Sequence, residues 1–320
     1  MSSLLKERVE IMRYAILGAG TMGSIIGATL AKSGAEVTLI DPYQEHMDKI
    51  QEQGLRLTLN QNKETITIHT CTDPRQAGPV EVIILLVKRI HSVAALEGAR
   101  ELIRENTYIC TLQNGLGNTE LLEQYLPKER ILQGVLRIAG RMNGPGDVSG
   151  EVAGGIAVYL GSLTKEKASI AMAQQIATDL TSGGLPSQFK SDVKQDIWTK
   201  AVNNICFNAP CGLLHLRIRE YFSHPDGKRM VDEIAKETIR VANAEGVVLD
   251  YQQIIRDLET NVIPAIGDHY PSLAQDMCNK RKTEIDSLNG AIVKYGRKLG
   301  IPTPVNDYIT RLVKIAEDNY

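Results

Sequence analysis

The sequence predicts an α/β protein in which an N-terminal doubly wound sheet is followed by a C-terminal all-helical domain. Three observations predict it. Residues Tyr14–Asp41 (YAILGAGTMGSIIGATLAKSGAEVTLID) read as a strand, a glycine-rich turn, a helix and a second strand. Apolar strand-like runs then alternate with helical patterns as far as Val135, and beyond Phe189 no further strand signal appears. At 320 residues the chain is too long for one ordinary core. Its organisation reads as an extension over 1–12, a first domain over 13–188 and a helical domain over 189–320.

In order, the strand candidates are Tyr14–Leu17, Val37–Ile40, Val82–Val87, Tyr108–Leu112 and Ile131–Val135. Short apolar runs separated by helical segments predict parallel strands covered on both faces by helices. Between Gly144 and Gly161 the glycines bracket β-prone pieces that read as antiparallel hairpins extending one edge of that sheet. A helix from Ala168 to Gly183-Gly184 leads to a last short strand around Ser187–Lys190. The helical domain is predicted over Asp192–Leu214, Lys228–Glu245, Tyr251–Val262, Ser272–Leu299 and Val305–Asp318. Gly300 with Pro302 and Pro304 supplies a helix stop in the usual order.

Composition excludes several function classes. With 43 % hydrophobic and 23 % charged residues the chain is globular in type. Its net charge of −2 offers no footprint for nucleic acid or an anionic membrane. No apolar run approaches the roughly 20 residues of a membrane helix. Met1–Ile11 lacks the apolar core of a secretory signal and reads as a surface extension. Five cysteines, odd in number and without a CxxC pair, point neither to a disulfide framework nor, with six scattered histidines, to a metal site. Free thiols in a reducing cytoplasm are the simpler account.

The glycine-rich turn has the chemistry of a dinucleotide site. Gly18 permits the tight turn out of the strand, Gly20 lets the backbone approach a pyrophosphate, and Gly23 lets the helix pack closely on the sheet. Thr21 and Met22, between them, begin the helix whose N-terminal N–H groups and dipole attract phosphate. Asp41 closes the second strand about 20 residues on, where a carboxylate accepts hydrogen bonds from ribose hydroxyls.

Four further places carry candidate chemistry. Lys88 ends the run EVIILLVK where a parallel strand reaches the ligand-binding edge of a sheet, although a charge there is also simply solvated at a loop mouth. Asn114, in LQNGLG, presents an amide beyond the next strand, although Asn-Gly is also the commonest of turns. Lys200, Asn204 and Asn208 lie four apart and share one helix face within an arc of about 80°. An ammonium and two amides on a largely apolar helix need a polar partner, and a carboxylated, carbonyl-bearing substrate is one. In YPSLAQDMCNKRKTEIDSLNG, Ser272 and Gln275 have capping-box spacing, and Thr283 and Asp286 have a related spacing that leaves Glu284 in the first turn of another helix.

Together these pieces resemble the ketopantoate reductase family. GxGxxG, a lysine after the fourth-strand region, NGxG after the next, WxKxxxNxxxN opening the helical domain, and SxxQD followed by TEIDxxNG occur here in that family's order. The resemblance spans Tyr14 to Asn306. It implies a Rossmann-type domain plus a helical domain, with substrate in the cleft between them, and an NAD(P)H-dependent reduction of a 2-oxo acid, 2-dehydropantoate above all. It implies Lys200 as general acid and Glu284 as the group that orients it and meets the nascent hydroxyl. Asn204, Asn208 and Ser272 are implied to hold the substrate's carboxylate and hydroxyl groups, with Asn114 and Lys88 lining the nicotinamide and substrate side of the crevice. A homodimer through the helical domain is implied by resemblance alone.

One departure is informative. Many members resemble NADPH enzymes with an arginine soon after the second strand, whereas this chain has Asp41-Pro42-Tyr43. A carboxylate repels a 2′-phosphate and favours free ribose hydroxyls, so NAD(H) is expected over NADP(H). Some relatives with an acidic residue here behave as NAD-dependent D-2-hydroxy acid dehydrogenases of the mandelate type, which is the alternative activity. A 6-phosphogluconate-type enzyme is disfavoured because Val193–Trp198 lacks glycine. A non-catalytic NAD-binding sensor would not need Lys200 and Glu284.

Overall fold

The computed structural model describes residues 11–152 and 155–320; residues 1–10 of the expected extension lie outside the described residues. The chain forms two compact units. The first holds the chain up to Val87 together with Ala94–Leu112 and Tyr125–Phe189. The second holds Lys88–Val93, Gln113–Gln124 and Lys190–Tyr320, so two loops from the strand-rich half belong with the helical half.

The strands are β1 (Arg13–Leu17), β2 (Glu36–Ile40), β3 (Leu55–Leu59), β4 (Asn62–Ile66), β5 (His69–Cys71), β6 (Val82–Leu85), β7 (Tyr108–Thr111), β8 (Ile131–Leu136), β9 (Ile138–Gly144), β10 (Asp147–Val152), β11 (Val158–Ser162) and β12 (Ser187–Phe189). Eight of them form one sheet in the order β12-β11-β8-β7-β6-β1-β2-β5. From β8 to β5 every pairing is parallel, with β1 between β2 and β6. The strand order reverses at β1, which is where open α/β sheets bind ligands. All four residues of β6 are buried, as expected of a parallel strand covered on both faces.

The helices before Phe189 are α1 (Thr21–Lys32), α2 (Gln44–Gln53), α3 (Ser92–Gly98), α4 (Asn118–Leu122) and α5 (Lys167–Ser182). Of these α4 belongs to the second unit. Helix α1 is buried without a break from Gly23 to Leu30, and its Ile25, Ile26 and Leu30 join Ile16, Leu39 and Leu180 in the core of the first unit.

The expected hairpins divide between two sheets. Strand β11 extends the main sheet antiparallel to β8, as anticipated. The β9–β10 hairpin instead joins β3 and β4 in a separate sheet, order β4-β3-β10-β9. Glycine makes that possible: a Cβ at Gly140 would collide with the Met22 and Thr21 side chains, and one at Gly150 would lie 2.9 Å from Ile25, so β9 and β10 pack directly on α1. Strand β4 (NKETI) escaped the sequence reading because it is almost wholly exposed and lacks apolar alternation, whereas β3 (LRLTL) does alternate and was overlooked.

The second unit contains α6 (Val193–Leu214), α7 (Ile218–Ser223), α8 (Pro225–Ala244), α9 (Tyr251–Asp257), α10 (Ile263–Ile266), α11 (Ser272–Cys278), α12 (Asn289–Leu299) and α13 (Pro304–Glu317). Its core is built on α6, whose Trp198, Val202, Ile205 and Phe207 pack with Tyr221, Ile234 and Ile292. Buried Glu237 of α8 accepts the Val305 and Asn306 N–H groups, each at 3.0 Å, and so satisfies the start of α13 from a neighbouring helix.

The helical stretch expected over Ser272–Leu299, with Thr283 and Asp286 spaced to open a second helix inside it, is broken. Helix α11 stops at Cys278, Lys280 adopts a left-handed φ of 51°, and a 3₁₀ turn over Ile285–Ser287 precedes α12. Neither anticipated cap forms. Ser272 is the first residue of α11 rather than its cap, and Gln275 donates instead to the Tyr270 carbonyl at 2.9 Å. Asp286 pairs with Lys314 at 2.6 Å, and Glu284 lies just before the 3₁₀ turn rather than inside a helix.

Candidate active site

In the first unit, the turn after β1 has the shape that a pyrophosphate needs. Gly18 has φ +100°, and a Cβ there would run into the Val87 backbone. A Cβ at Gly23 would collide with the Gly18 carbonyl, whereas Gly20 faces open space with nothing within 4 Å. Gly18 and Ala19 N–H groups both donate to the Ile40 carbonyl, at 2.9 and 3.2 Å, which ties the loop to the end of β2. Thr21 and Met22 open α1 directly after Gly20, with no side-chain cap occupying the helix N-terminus. Asp41 follows β2; its Oδ1 accepts the Tyr43 N–H at 3.0 Å, leaving the second oxygen for another donor. The residues present fit a dinucleotide: a glycine cradle for phosphates and a carboxylate for ribose.

In the second unit, residues from five stretches of chain converge. Lys200 Nζ on α6 donates to Asn114 Oδ1 at 2.8 Å. Glu284 Oε1 accepts the Arg89 N–H at 2.8 Å. Lys88 Nζ meets Asp276 Oδ1 of α11 at 2.5 Å. The Asn114-Gly115 turn is fixed by the Leu116 N–H, which donates to the Ser287 carbonyl at 2.8 Å, and by Gly115, where a Cβ would lie 2.5 Å from that same oxygen. Thr283 donates its N–H and hydroxyl to Glu317 Oε1 at 2.7 and 2.6 Å, so the end of α13 holds the segment that carries Glu284.

Burial sets the electrostatics of this cluster. Removing Lys200 from water lowers its pKa from the ordinary lysine value to about 8, while the Glu284 carboxylate pulls the other way by favouring the ammonium. Burial likewise raises Glu284 above the usual carboxylate range; the Arg89 N–H, Lys88 and Lys200 oppose the rise and Asp276 adds to it. A lysine near neutrality beside a carboxylate and an amide acceptor can give up or take a proton at working pH.

The remaining sequence candidates are placed less tightly. Asn204 is half-buried and Asn208 buried on α6, and Ser272 is exposed at the start of α11. None of these three side chains makes a hydrogen bond among the described residues. Asp276 was given no role of its own although it stands inside the SxxQD motif, because its partner Lys88 is 188 positions away. Gln113, whose amide donates to the buried Ser92 hydroxyl at 2.8 Å, was also not anticipated.

Comparison with known proteins bears on these arrangements. The family description "Ketopantoate reductase PanE/ApbA" matches residues 14–165, and "Ketopantoate reductase PanE/ApbA C terminal" matches residues 192–317. The chain is 34 % identical over 313 residues to a 2-dehydropantoate 2-reductase of Lactococcus lactis, covering 96 % of this chain and 98 % of that one. It is 33 % identical over 303 residues to a 2-dehydropantoate 2-reductase of Streptococcus pyogenes, covering 94 % and 97 %. Among solved structures it is similar to D-mandelate dehydrogenase in a ternary complex with NADH and anilino(oxo)acetate, with 35 % identity, TM-score 0.87 and coverage of 96 % and 99 %. With both halves matched and relatives aligned over nearly their full length, the chain belongs to the ketopantoate reductase family of NAD(P)-dependent oxidoreductases.

Proposed function

We propose that this protein is an NAD(H)-dependent 2-oxo acid reductase whose substrate is 2-dehydropantoate. The observation that carries the reading is the Lys200–Asn114–Glu284 cluster, a lysine with its pKa lowered to about 8 beside a carboxylate and an amide. When bound, the reduced nicotinamide supplies a hydride to the 2-carbonyl carbon. Lys200 then gives its Nζ proton to the carbonyl oxygen as that oxygen gains charge. Asn114 keeps the ammonium aimed, and Glu284 accepts a hydrogen bond from the new hydroxyl. Asn204, Asn208 and Ser272 bind the substrate's carboxylate and hydroxyl groups, and Lys88, held by Asp276, offers positive charge to the same anion. Residues 13–188 serve as the dinucleotide domain, with Gly18, Gly20, Thr21, Met22 and Gly23 at the pyrophosphate and Asp41 at the ribose. Residues 189–320 serve as the substrate domain.

A second reading, an NAD-dependent D-2-hydroxy acid dehydrogenase of the mandelate type, is favoured by one observation: a structural neighbour that is a D-mandelate dehydrogenase with NADH. Initial rates with 2-dehydropantoate and phenylglyoxylate, each with NADH and NADPH, decide between the two. Preference for phenylglyoxylate overturns the first reading, and no turnover of either acid by protein that binds NADH revives a sensor role.

The same proposal includes a cytoplasmic homodimer. Supporting it are five cysteines without a disulfide and an exposed stripe on α13, where Tyr308, Leu312 and Ile315 are 70, 52 and 61 % accessible at spacings that share one face. Light scattering at the mass of a single chain removes the dimer from the proposal.

A further inference from the structure

His46 of α2 is completely buried, yet nothing in the proposed chemistry uses it. Its hydrogen bonds fix its state. Nδ1 accepts the Gly146 N–H at 2.8 Å, so the proton of the neutral ring sits on Nε2, which lies 3.0 Å from Ser24 Oγ. The Ser24 hydroxyl, itself completely buried, donates in turn to the Ala19 carbonyl at 2.9 Å. Burial holds the imidazole pKa below its ordinary value, in keeping with a neutral ring. The far side of the ring stacks on Tyr43, with centroids 5.9 Å apart and planes 17° from parallel, and the Tyr43 N–H is the donor to Asp41.

Ala19 is the middle residue of the Gly18–Gly20 turn. In a trans peptide the C=O and N–H point in opposite directions. A Ser24 hydroxyl that holds the Ala19 carbonyl therefore turns the Gly20 N–H of the same peptide the opposite way, and a Cβ at Gly20 would meet nothing within 4 Å. Gly146, at the β9–β10 turn, is clamped as well: its carbonyl accepts the Arg56 N–H at 2.9 Å while its N–H serves His46. The second sheet is thereby linked, through one ring and one hydroxyl, to the phosphate loop.

We propose that His46 is a positioning residue for dinucleotide binding, holding the Gly20 peptide through Ser24 for the pyrophosphate and propping the Asp41 loop through Tyr43. The inference rests on the dinucleotide reading of Gly18–Gly23 and Asp41. It makes the small sheet β4-β3-β10-β9 part of the cofactor site although none of its side chains is needed as a ligand.

The test compares Ser24→Ala, His46→Gln and His46→Asn by calorimetric Kd for NADH and for ADP-ribose, alongside kcat and thermal midpoint. The Gln amide reaches the position of Nε2 and can still serve Ser24, whereas the Asn amide reaches the position of Nδ1 and serves Gly146 alone. Ser24→Ala and His46→Asn are expected to weaken both ligands about tenfold, the loss of roughly one buried hydrogen bond, with kcat at saturating NADH within about twofold of wild type. His46→Gln is expected to stay within about twofold of the wild-type Kd, by retaining that hydrogen bond. A wild-type Kd for Ser24→Ala overturns the proposal, as does equal weakening by His46→Gln and His46→Asn. Should the His46 variants fail to fold, Ser24→Ala, which removes one hydroxyl, decides alone. Wild-type protein that binds neither ligand refutes the dinucleotide reading instead.

Discussion

The Lys200 ammonium donates to the Asn114 amide oxygen across 2.8 Å, which joins a helix to a glycine turn 86 residues earlier in the chain. That contact fixes the direction of a flexible side chain whose tip would otherwise sample many rotamers. An amide oxygen accepts from either the ammonium or the neutral amine, so the contact can hold the nitrogen in place in both protonation states.

Replacing Lys200 by Ala is therefore expected to lower kcat for oxo acid reduction by about 10²–10⁴-fold, the range for a lost general acid. NADH affinity, measured by calorimetry, is expected to stay within about twofold, because the residues proposed for the phosphates and ribose are others. Retention of wild-type kcat by this variant removes Lys200 from the proton transfer.

The pH profile carries a second prediction. Lys200 donates only when protonated, and burial brings its pKa to about 8, so kcat/KM for reduction is expected to be level below that pH and to fall above it. Oxidation of the hydroxy acid, which needs the neutral amine, rises over the same range. Glu284 favours the ammonium, so Glu284→Gln is expected to move the limb to lower pH in both directions of reaction. A limb that stays in place, or moves up, contradicts the placement of this carboxylate beside Lys200.

What could be read from the sequence follows from the range of each interaction. The glycine loop and Asp41 were legible because they lie within one strand–helix–strand unit, and the chain's own register brings them together. Lys200, Asn204 and Asn208 were legible as one helix face. The Lys88–Asp276 pair and the hold of Glu317 on Thr283 were not, because each joins parts of the chain that no local periodicity relates. Strand β4 was hidden for a different reason: its residues are almost all exposed, and an edge strand with no buried face leaves no alternation to see. The break between α11 and α12 was legible only as the spacing of Thr283 and Asp286, because the Glu317 carboxylate that holds Thr283 there lies far along the chain.

Lys88 and Asp276 supply a third prediction. Asp276 is 12 % accessible in its side chain against 41 % for Lys88, so the buried partner depends on the pair more than the exposed one does. Asp276→Asn frees the lysine head, and a reduction in kcat/KM of about tenfold is expected from the loss of a positioned cation. Lys88→Ala is expected to cost a similar factor. The double variant should be little worse than either, with a coupling of about 0.5–3 kcal/mol in the cycle. Strictly additive losses show that the two residues act apart.

Asp41 supplies the last. A 2′-phosphate carries nearly two negative charges, and each repels a carboxylate about 4 Å away by about 1 kcal/mol even at the dielectric of water. In the proposed site the same carboxylate would accept hydrogen bonds from the ribose hydroxyls of NADH, each worth about 0.5–1.5 kcal/mol net, more where the acceptor is charged. The two effects have the same sign for discrimination, so Asp41→Ala is expected to lower the ratio of kcat/KM for NADH over NADPH by about 100-fold. Asp41→Asn separates them. It removes the repulsion and keeps an acceptor, so NADPH efficiency should rise as in the alanine variant while NADH efficiency falls less. The Tyr43 N–H still finds the amide oxygen in that variant, which keeps the loop in place. Wild-type protein more efficient with NADPH than with NADH assigns the 2′-phosphate to other residues and leaves Asp41 as a cap on the Tyr43 turn alone.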